Sequence, residues 1–118
     1  MNNDIIVVTI PNKPDYTSMI RLISSSIGNK AGYNIDQIED LKVAMGEACI
    51  LSYGKSSDES IQIEFEIHKD KLEVSLHWDT LGDGEESKEA ALGRMIIESL
   101  MDEAYYTDEE IRLIKYID

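Results

Sequence analysis

The chain carries few side chains capable of chemistry, and most are placed where chemistry is hard to do. Cys49 is its one cysteine and stands beside an apolar stripe, as a small buried hydrophobe would rather than a nucleophile. His68 and His77 are not spaced with acids in the manner of a metal site, and both read as solvated side chains. The stretch SIGNKAGY contains two glycines but not the surrounding pattern of a phosphate-binding loop. Four groups remain: Glu47 with Leu51 four residues on, Asp79 followed by Gly82 and Gly84, Gly93 in AALGRM, and Arg21 in MIRL. Residues four apart share a helix face, so Glu47 and Leu51 point the same way. Between Asp79 and Gly93 lie Asp83, Glu85, Glu86 and Glu89, carboxylates that would repel a triphosphate unless a cation intervened.

The elements that must position these residues follow from hydrophobic periodicity. Ile5 to Ile10 (IIVVTI) is β-branched and reads as a strand, stopped by Pro11 and Pro14. A helix is predicted from Asp15 to Ala31, with Tyr16, Met19, Ile20, Ile23 and Ile27 recurring at helical spacing and Gly32 as its cap. A second starts at Asp36, with Glu39 three residues on in a capping-box-like pattern. Its inward stripe is Ile38, Leu41, Met45, Ala48 and Ser52, and Gly54 ends it. IQIEFEI and LEVSLHW alternate strictly, so Ile61, Ile63, Phe65 and Ile67 pair with Leu72, Val74, Leu76 and Trp78 across a turn at His68 to Lys71. A third helix is predicted from Lys88 to Ala104 with Leu92, Ile96 and Leu100 inward, and a last strand from Glu110 to Ile117. The order β, α, α, β, β, α, β predicts an α+β two-layer sandwich. It has a mostly antiparallel four-stranded sheet with three helices on one face.

Composition bounds the function classes. The 118 residues suit one domain, 1–118, with one core. A net charge of −13 repels phosphate backbones and anionic membranes, so neither nucleic acid nor a membrane surface is an expected partner. The same charge either serves solubility or steers basic partners. No apolar run reaches membrane-spanning length, MNNDIIVV lacks the basic region of a signal peptide, and a lone cysteine suits a reducing compartment. A cytoplasmic protein is the expectation. Pattern and composition alone say nothing of the reaction.

One resemblance does. Ile10 to Cys49, IPNKPDYTSMIRLISSSIGNKAGYNIDQIEDLKVAMGEAC, resembles the N-terminal half of the bacterial anti-sigma-factor serine kinases of the RsbW and SpoIIAB type, members of the GHKL (histidine-kinase-like) ATPase superfamily. LGRMIIESLMDEA (Leu92 to Ala104) looks like that family's second glycine box and its helix, and IRLIKYI (Ile111 to Ile117) like its closing strand. The resemblance runs over nearly the whole chain in matching order, and implies a Bergerat-like ATPase fold.

The resemblance also implies a chemistry. In the family a glutamate acts as general base or polarises the attacking hydroxyl, and an asparagine one helical turn later holds Mg²⁺. An aspartate with nearby glycines reads adenine, and a glycine-rich lid closes over the phosphates. Glu47 matches the glutamate, as a vestigial general base. Leu51 stands at the asparagine and cannot ligate a metal, so no metal site is expected; a register shift would offer only Ile50 or Ser52. Asp79 matches the aspartate but Leu81 occupies the following glycine position, and the lid is largely missing around 80–90. Gly93 is the one glycine kept in the second box. It marks either a close approach or a tolerated helix glycine. ATP and Mg²⁺ are the family's cofactors; for this chain none is expected.

Three functions stay open. The first is a regulatory module that binds a sigma factor, a STAS-domain anti-anti-sigma factor or both, as a homodimer through the first helix, with Arg21 as a partner contact or simply a solvated arginine. The second is an active ATP-dependent serine kinase acting on a STAS-domain protein. The third is a free-standing domain that pairs only with another protein of its own operon.

Overall fold

The fold is a five-stranded antiparallel sheet carrying three helices on one face, and a computed structural model describes it for residues 3–55, 59–78 and 88–117, the side chains of 54 and 55 aside. Strand β1 (Asp4–Pro11) leads through a 3₁₀ turn (Pro14–Tyr16) into helices α1 (Thr17–Ala31) and α2 (Ile35–Lys55). Strands β2 (Ser60–Ile67) and β3 (Lys71–His77) form the central hairpin. Helix α3 (Lys88–Leu100) and strands β4 (Glu103–Tyr106) and β5 (Glu110–Tyr116) complete the chain. The sheet order is β1-β2-β3-β5-β4.

Alternation sets the register of the hairpin. Ile63 pairs with Leu76, Phe65 with Val74 and Ile67 with Leu72, so the apolar face of both strands turns to the helices. His68 N–H donates to the Lys71 carbonyl at 2.9 Å to close the turn. Phe65, Ile61, Ile63, Val74 and Leu76 are completely buried and meet Leu41, Met45 and Ala48 of α2 in the core. Trp78 joins that core, with its indole N–H donating to the Asp108 carbonyl at 2.9 Å. The opposite face of the sheet is polar: Arg112 approaches Glu73 at 3.7 Å, and the Tyr105 and Tyr116 hydroxyls both donate to the Glu103 carboxylate.

Helix ends follow local chemistry. Gly32 ends α1 at φ 101°, a conformation that side-chain-bearing residues rarely adopt, and its N–H reaches the carbonyls of Gly28 and Asn29. The capping box of α2 is Asn34 with Gln37, two residues before the Asp36–Glu39 pair expected from the sequence. Gln37 N–H donates to Asn34 Oδ1 at 2.8 Å and Asn34 N–H to Gln37 Oε1 at 3.0 Å. Asparagine and glutamine make the same reciprocal bonds that serine and glutamate do.

Three further expectations are corrected. The sheet has five strands, not four, because EAYY leaves the helix and pairs with β5 as β4. Helix α3 stops at Leu100, short of Ala104, where the Lys115 ammonium donates to the Leu100 carbonyl at 2.7 Å. Its buried residues are Gly93 and Ile97, with Met101 buried just past its end, one position on from the predicted Leu92, Ile96 and Leu100; of those three, Leu100 packs partly buried against the core. Leu92 is 57% exposed. The glycine turns to α2, and the residues four and eight positions later follow it inward.

Lys115 is a buried cation on β5 that joins three elements: it caps α3, lies 3.8 Å from Asp40 Oδ2 of α2, and its own carbonyl accepts from the Tyr33 hydroxyl. Burial of that phenol pushes its pKa well up, so it stays a donor. Lys115→Met keeps the aliphatic stem but leaves the Leu100 carbonyl without its donor. A loss of about 1–3 kcal/mol is expected, read as a lower urea midpoint at unchanged slope.

Candidate functional site

Helix α2 places Glu47 and Leu51 one turn apart, and α3 lays Gly93 across both. A Cβ added at Gly93 would stand 3.3 Å from Glu47 Oε1 and 3.8 Å from Leu51 Cδ2. Three of the residues singled out in the sequence therefore meet at one place, the α2–α3 contact. Gly93 does mark a close approach, and the partner it approaches is α2 itself. Asp79 and the segment 79–87 lie outside the described residues; 88–90 already belong to α3.

The chemistry of that contact is mostly apolar. Glu47 is half-buried and contributes a carboxylate, whereas Leu51 belongs to the hydrophobic core. The alternative ligands do not help. Ile50 turns outward, and the buried Ser52 hydroxyl donates to the Cys49 carbonyl at 2.8 Å. That bond commits its proton to the helix backbone. Among the described residues no group of three or more His, Cys, Asp or Glu side chains could hold a metal ion. A hydrated Mg²⁺ bound to phosphates needs oxygen ligands, and a leucine branch one turn from the glutamate does not supply them. The described residues at this contact do not fit that ion.

Cys49 is fully buried, and burial pushes its thiol up to about 12, with Tyr53 and Arg21 pulling weakly the other way. It stays protonated and inert at neutral pH. The Tyr53 hydroxyl accepts from Thr17 Oγ1 at 3.2 Å, tying the start of α1 to the end of α2.

Arg21 stands on α1 with its guanidinium against Gly46 of α2. A Cβ at Gly46 would fall 2.6 Å from Nε and 2.7 Å from Nη2. Nothing in the periodicity reveals this contact; the one signal is a glycine inside a strongly helical run, directly before the glutamate. The histidines are less isolated than their spacing suggests. The hairpin sets Glu73 opposite Glu66, and His68 Nε2 lies 3.5 Å from Glu66 and 3.9 Å from Glu73, while Asn3 Nδ2 lies 3.0 Å from its Nδ1. His77 approaches Glu110 at 3.6 Å, on the rim of an open groove of about 370 Å³ that also takes in Gln62, Trp78, Thr107 and Glu109. None of Glu47, Leu51, Gly93 or Arg21 lines that groove. Among the described residues no helix is long and apolar enough to cross a membrane.

Comparison with known proteins bears on this arrangement. The sequence profile of a family described as "Histidine kinase-like ATPase domain" matches residues 10–115. The serine-protein kinase RsbW of Listeria monocytogenes serovar 1/2a is 34% identical over 139 positions, covering 98% of this chain and 88% of that protein. The Bacillus subtilis RsbW is 38% identical over 77 positions, 62% of this chain and 48% of its own length. The Listeria alignment is longer than the chain: 98% of 118 residues is about 116, so about 23 of the 139 positions face a gap here. Among solved structures, the RsbU and RsbW domains of a Mycobacterium tuberculosis protein superpose with a TM-score of 0.69 at 15% identity. That match covers 97% of this chain and 32% of the larger one, and shows the shared fold. With a family profile over most of its length and RsbW relatives above 30% identity, the chain belongs to the histidine kinase-like ATPase domain family and is of the RsbW type.

Proposed function

We propose that this protein is a cytoplasmic regulatory binding module of the anti-sigma type, which engages a sigma factor, a STAS-domain anti-anti-sigma factor or both, and does not transfer phosphate. The observation that carries this reading is Leu51. It sits in the core at the α2–α3 contact, one turn from Glu47, where the family places an oxygen ligand for Mg²⁺. The shortfall of about 23 positions against the Listeria kinase supports the same reading, because a shortened lid would remove backbone donors for the phosphates. In this reading Glu47 and Gly93 are remnants that now serve helix packing, Asp79 is at most a residual adenine contact, and no cofactor is required.

What the module keeps is surface. Helix α1 presents Met19 and Leu22 outward, and Arg21 beside them, a combination suited to a homodimer seam and a partner contact. The strongly acidic remainder favours partners with basic surfaces.

Calorimetric titration tests it. Recombinant sigma factors and STAS-domain proteins from the same genome are titrated into the full chain, with and without Mg²⁺ and ATP. At least one is expected to bind at micromolar affinity or tighter, on the order of 8 kcal/mol, with no change when nucleotide is added. Arg21→Ala is expected to weaken that binding tenfold or more. Binding that requires Mg²⁺ and ATP, or no binding by any candidate, would overturn the proposal.

A further inference from the structure

Arg21 is an exposed cation that lies against helix α2. Among the described residues no carboxylate pairs with it and no carbonyl accepts from its N–H groups. Its guanidinium instead lies across α2 at Gly46, where the three atoms nearest to an added Cβ are all its own: Nε at 2.6 Å, Nη2 at 2.7 Å and Cζ at 3.1 Å. Any side chain at that position would take the space the guanidinium now occupies.

Glycine inside a long helix weakens it, so its presence calls for a reason. The backbone gives none here: Gly32 is the described glycine with positive φ, and Gly46 is ordinary helix. The core gives none either, since an added Cβ would meet Arg21 before it met any apolar side chain. The reason left is Arg21.

The surroundings suggest what the seated arginine is for. Val43 and Ile50 lie three residues before and four after Gly46, on the same helix face, and both are exposed. Leu22, next to Arg21 on α1, is 70% exposed. A planar fork of free N–H donors bordered by exposed apolar side chains has the composition of an interface anchor. A guanidinium with open donors binds a carboxylate through two parallel hydrogen bonds. The chain's net charge of −13 repels acidic surfaces, so the carboxylate would arrive on a segment otherwise neutral or basic.

We propose that Gly46 is a positioning residue: by lacking a side chain it seats the Arg21 guanidinium on α2 as a pre-organised fork for a partner's carboxylate. This rests on the reading of Arg21 as a partner contact, and goes beyond it by assigning Gly46 a role in recognition instead of folding.

The two roles part company in Gly46→Ala. The atoms that must move belong to the far end of a flexible side chain, so the fold accommodates the methyl, and alanine is the better helix former. The melting temperature is expected to hold or rise by a few degrees. At the same time the Arg21 Nε–Hε group is expected to be rigid in the wild type, read as a high ¹⁵N heteronuclear NOE, and mobile in Gly46→Ala. Affinity for the sigma factor or STAS-domain protein found by titration should fall about tenfold, because an unseated arginine must be ordered on binding. Arg21→Lys, which keeps charge but not the fork, should fall as far.

Sodium acetate serves as a carboxylate probe independent of any partner. It should shift the Arg21 Nε–Hε signal saturably in the wild type and several-fold less at the same concentration in Gly46→Ala. If the wild type binds no sigma factor or STAS protein, Arg21's partner role fails, and the seat is judged on the NMR arms alone. An Arg21 signal equally rigid and equally acetate-sensitive in both proteins overturns the proposal. So does unchanged partner affinity in Gly46→Ala where Arg21→Ala loses it, or a Gly46→Ala protein that simply unfolds at lower temperature.

Discussion

Incubated with Mg²⁺ and γ-labelled ATP, the protein is expected to leave STAS-domain serines unlabelled and to hydrolyse ATP no faster than buffer. Phosphoryl transfer asks a protein for position and for neutralised charge at the phosphates. Loss of a single oriented donor in such a site costs about 10²–10³ in rate, roughly 3–4 kcal/mol. Here Leu51, which the resemblance sets at the family's metal ligand, belongs to the core, Ser52 is bonded to the Cys49 carbonyl, and Gly93 rests against Glu47. Parts that act as a unit do not add, so one repair is not expected to suffice. Leu51→Asn alone should bind Mg²⁺·ATP weakly and transfer nothing; Leu51→Asn with a lid grafted from an RsbW relative should label serine. Labelling by the unmodified chain would make Glu47 a working base and end the non-catalytic reading. Tight ATP binding that depends on Mg²⁺ in the unmodified chain would mean that another oxygen ligand holds the metal.

The parts of this molecule legible in its sequence are those where one local signal dominates. The β2–β3 hairpin alternates without a fault from Ile61 to Ile67 and from Leu72 to Leu76, and a one-residue slip would turn that apolar face to the other side of the sheet. Gly32 follows a helical run and caps it as expected. Where two signals compete, the structure departs from the periodicity. Leu100, Met101 and Ala104 continue a helical spacing, yet Tyr105 and Tyr106 are strand formers, and Thr107 and Asp108 make a turn closed by Thr107 N–H to the Glu110 carbonyl at 2.9 Å. That aromatic pair before a turn and a β-branched run was the available signal for β4. The inward face of α3 departs from the periodicity for a different reason. Periodicity ranks Leu92 above Gly93, but it is Gly93 that turns to α2, where an added Cβ would stand 3.3 Å from the Glu47 carboxylate. Glu47, Leu51 and Gly93, singled out one by one from the resemblance, lie together at the α2–α3 contact. The Arg21–Gly46 contact and the Glu66–His68–Glu73 group could not be seen, because both join residues whose proximity depends on tertiary or cross-strand placement.

Phe65→Ala is expected to cost about 3–5 kcal/mol, a large share of the roughly 5–15 kcal/mol that holds a domain of this size together. Phe65 is the one phenylalanine of the chain and has no exposed surface. It stands on β2 opposite Val74 of β3 and Ile6 of β1, so a neighbouring strand pairs with it on each side. Truncation removes the transfer energy of the ring and leaves a cavity between that sheet and helix α2, which the surrounding atoms fill only in part. The site has little room to collapse, because its neighbours Ile61, Ile63, Val74 and Leu76 are themselves fully buried on hydrogen-bonded strands. Phe65→Leu keeps most of the volume and should cost less than half as much. Equilibrium urea unfolding, followed through Trp78, reads both variants, since that indole is buried in the same core and loses its hydrogen bond to Asp108 on unfolding. Equal midpoints for Phe65→Ala and the wild type would place the ring outside the cooperative core. That result would also remove the β2–β3 hairpin from the framework on which α2 and its Glu47, Leu51 and Gly46 are held.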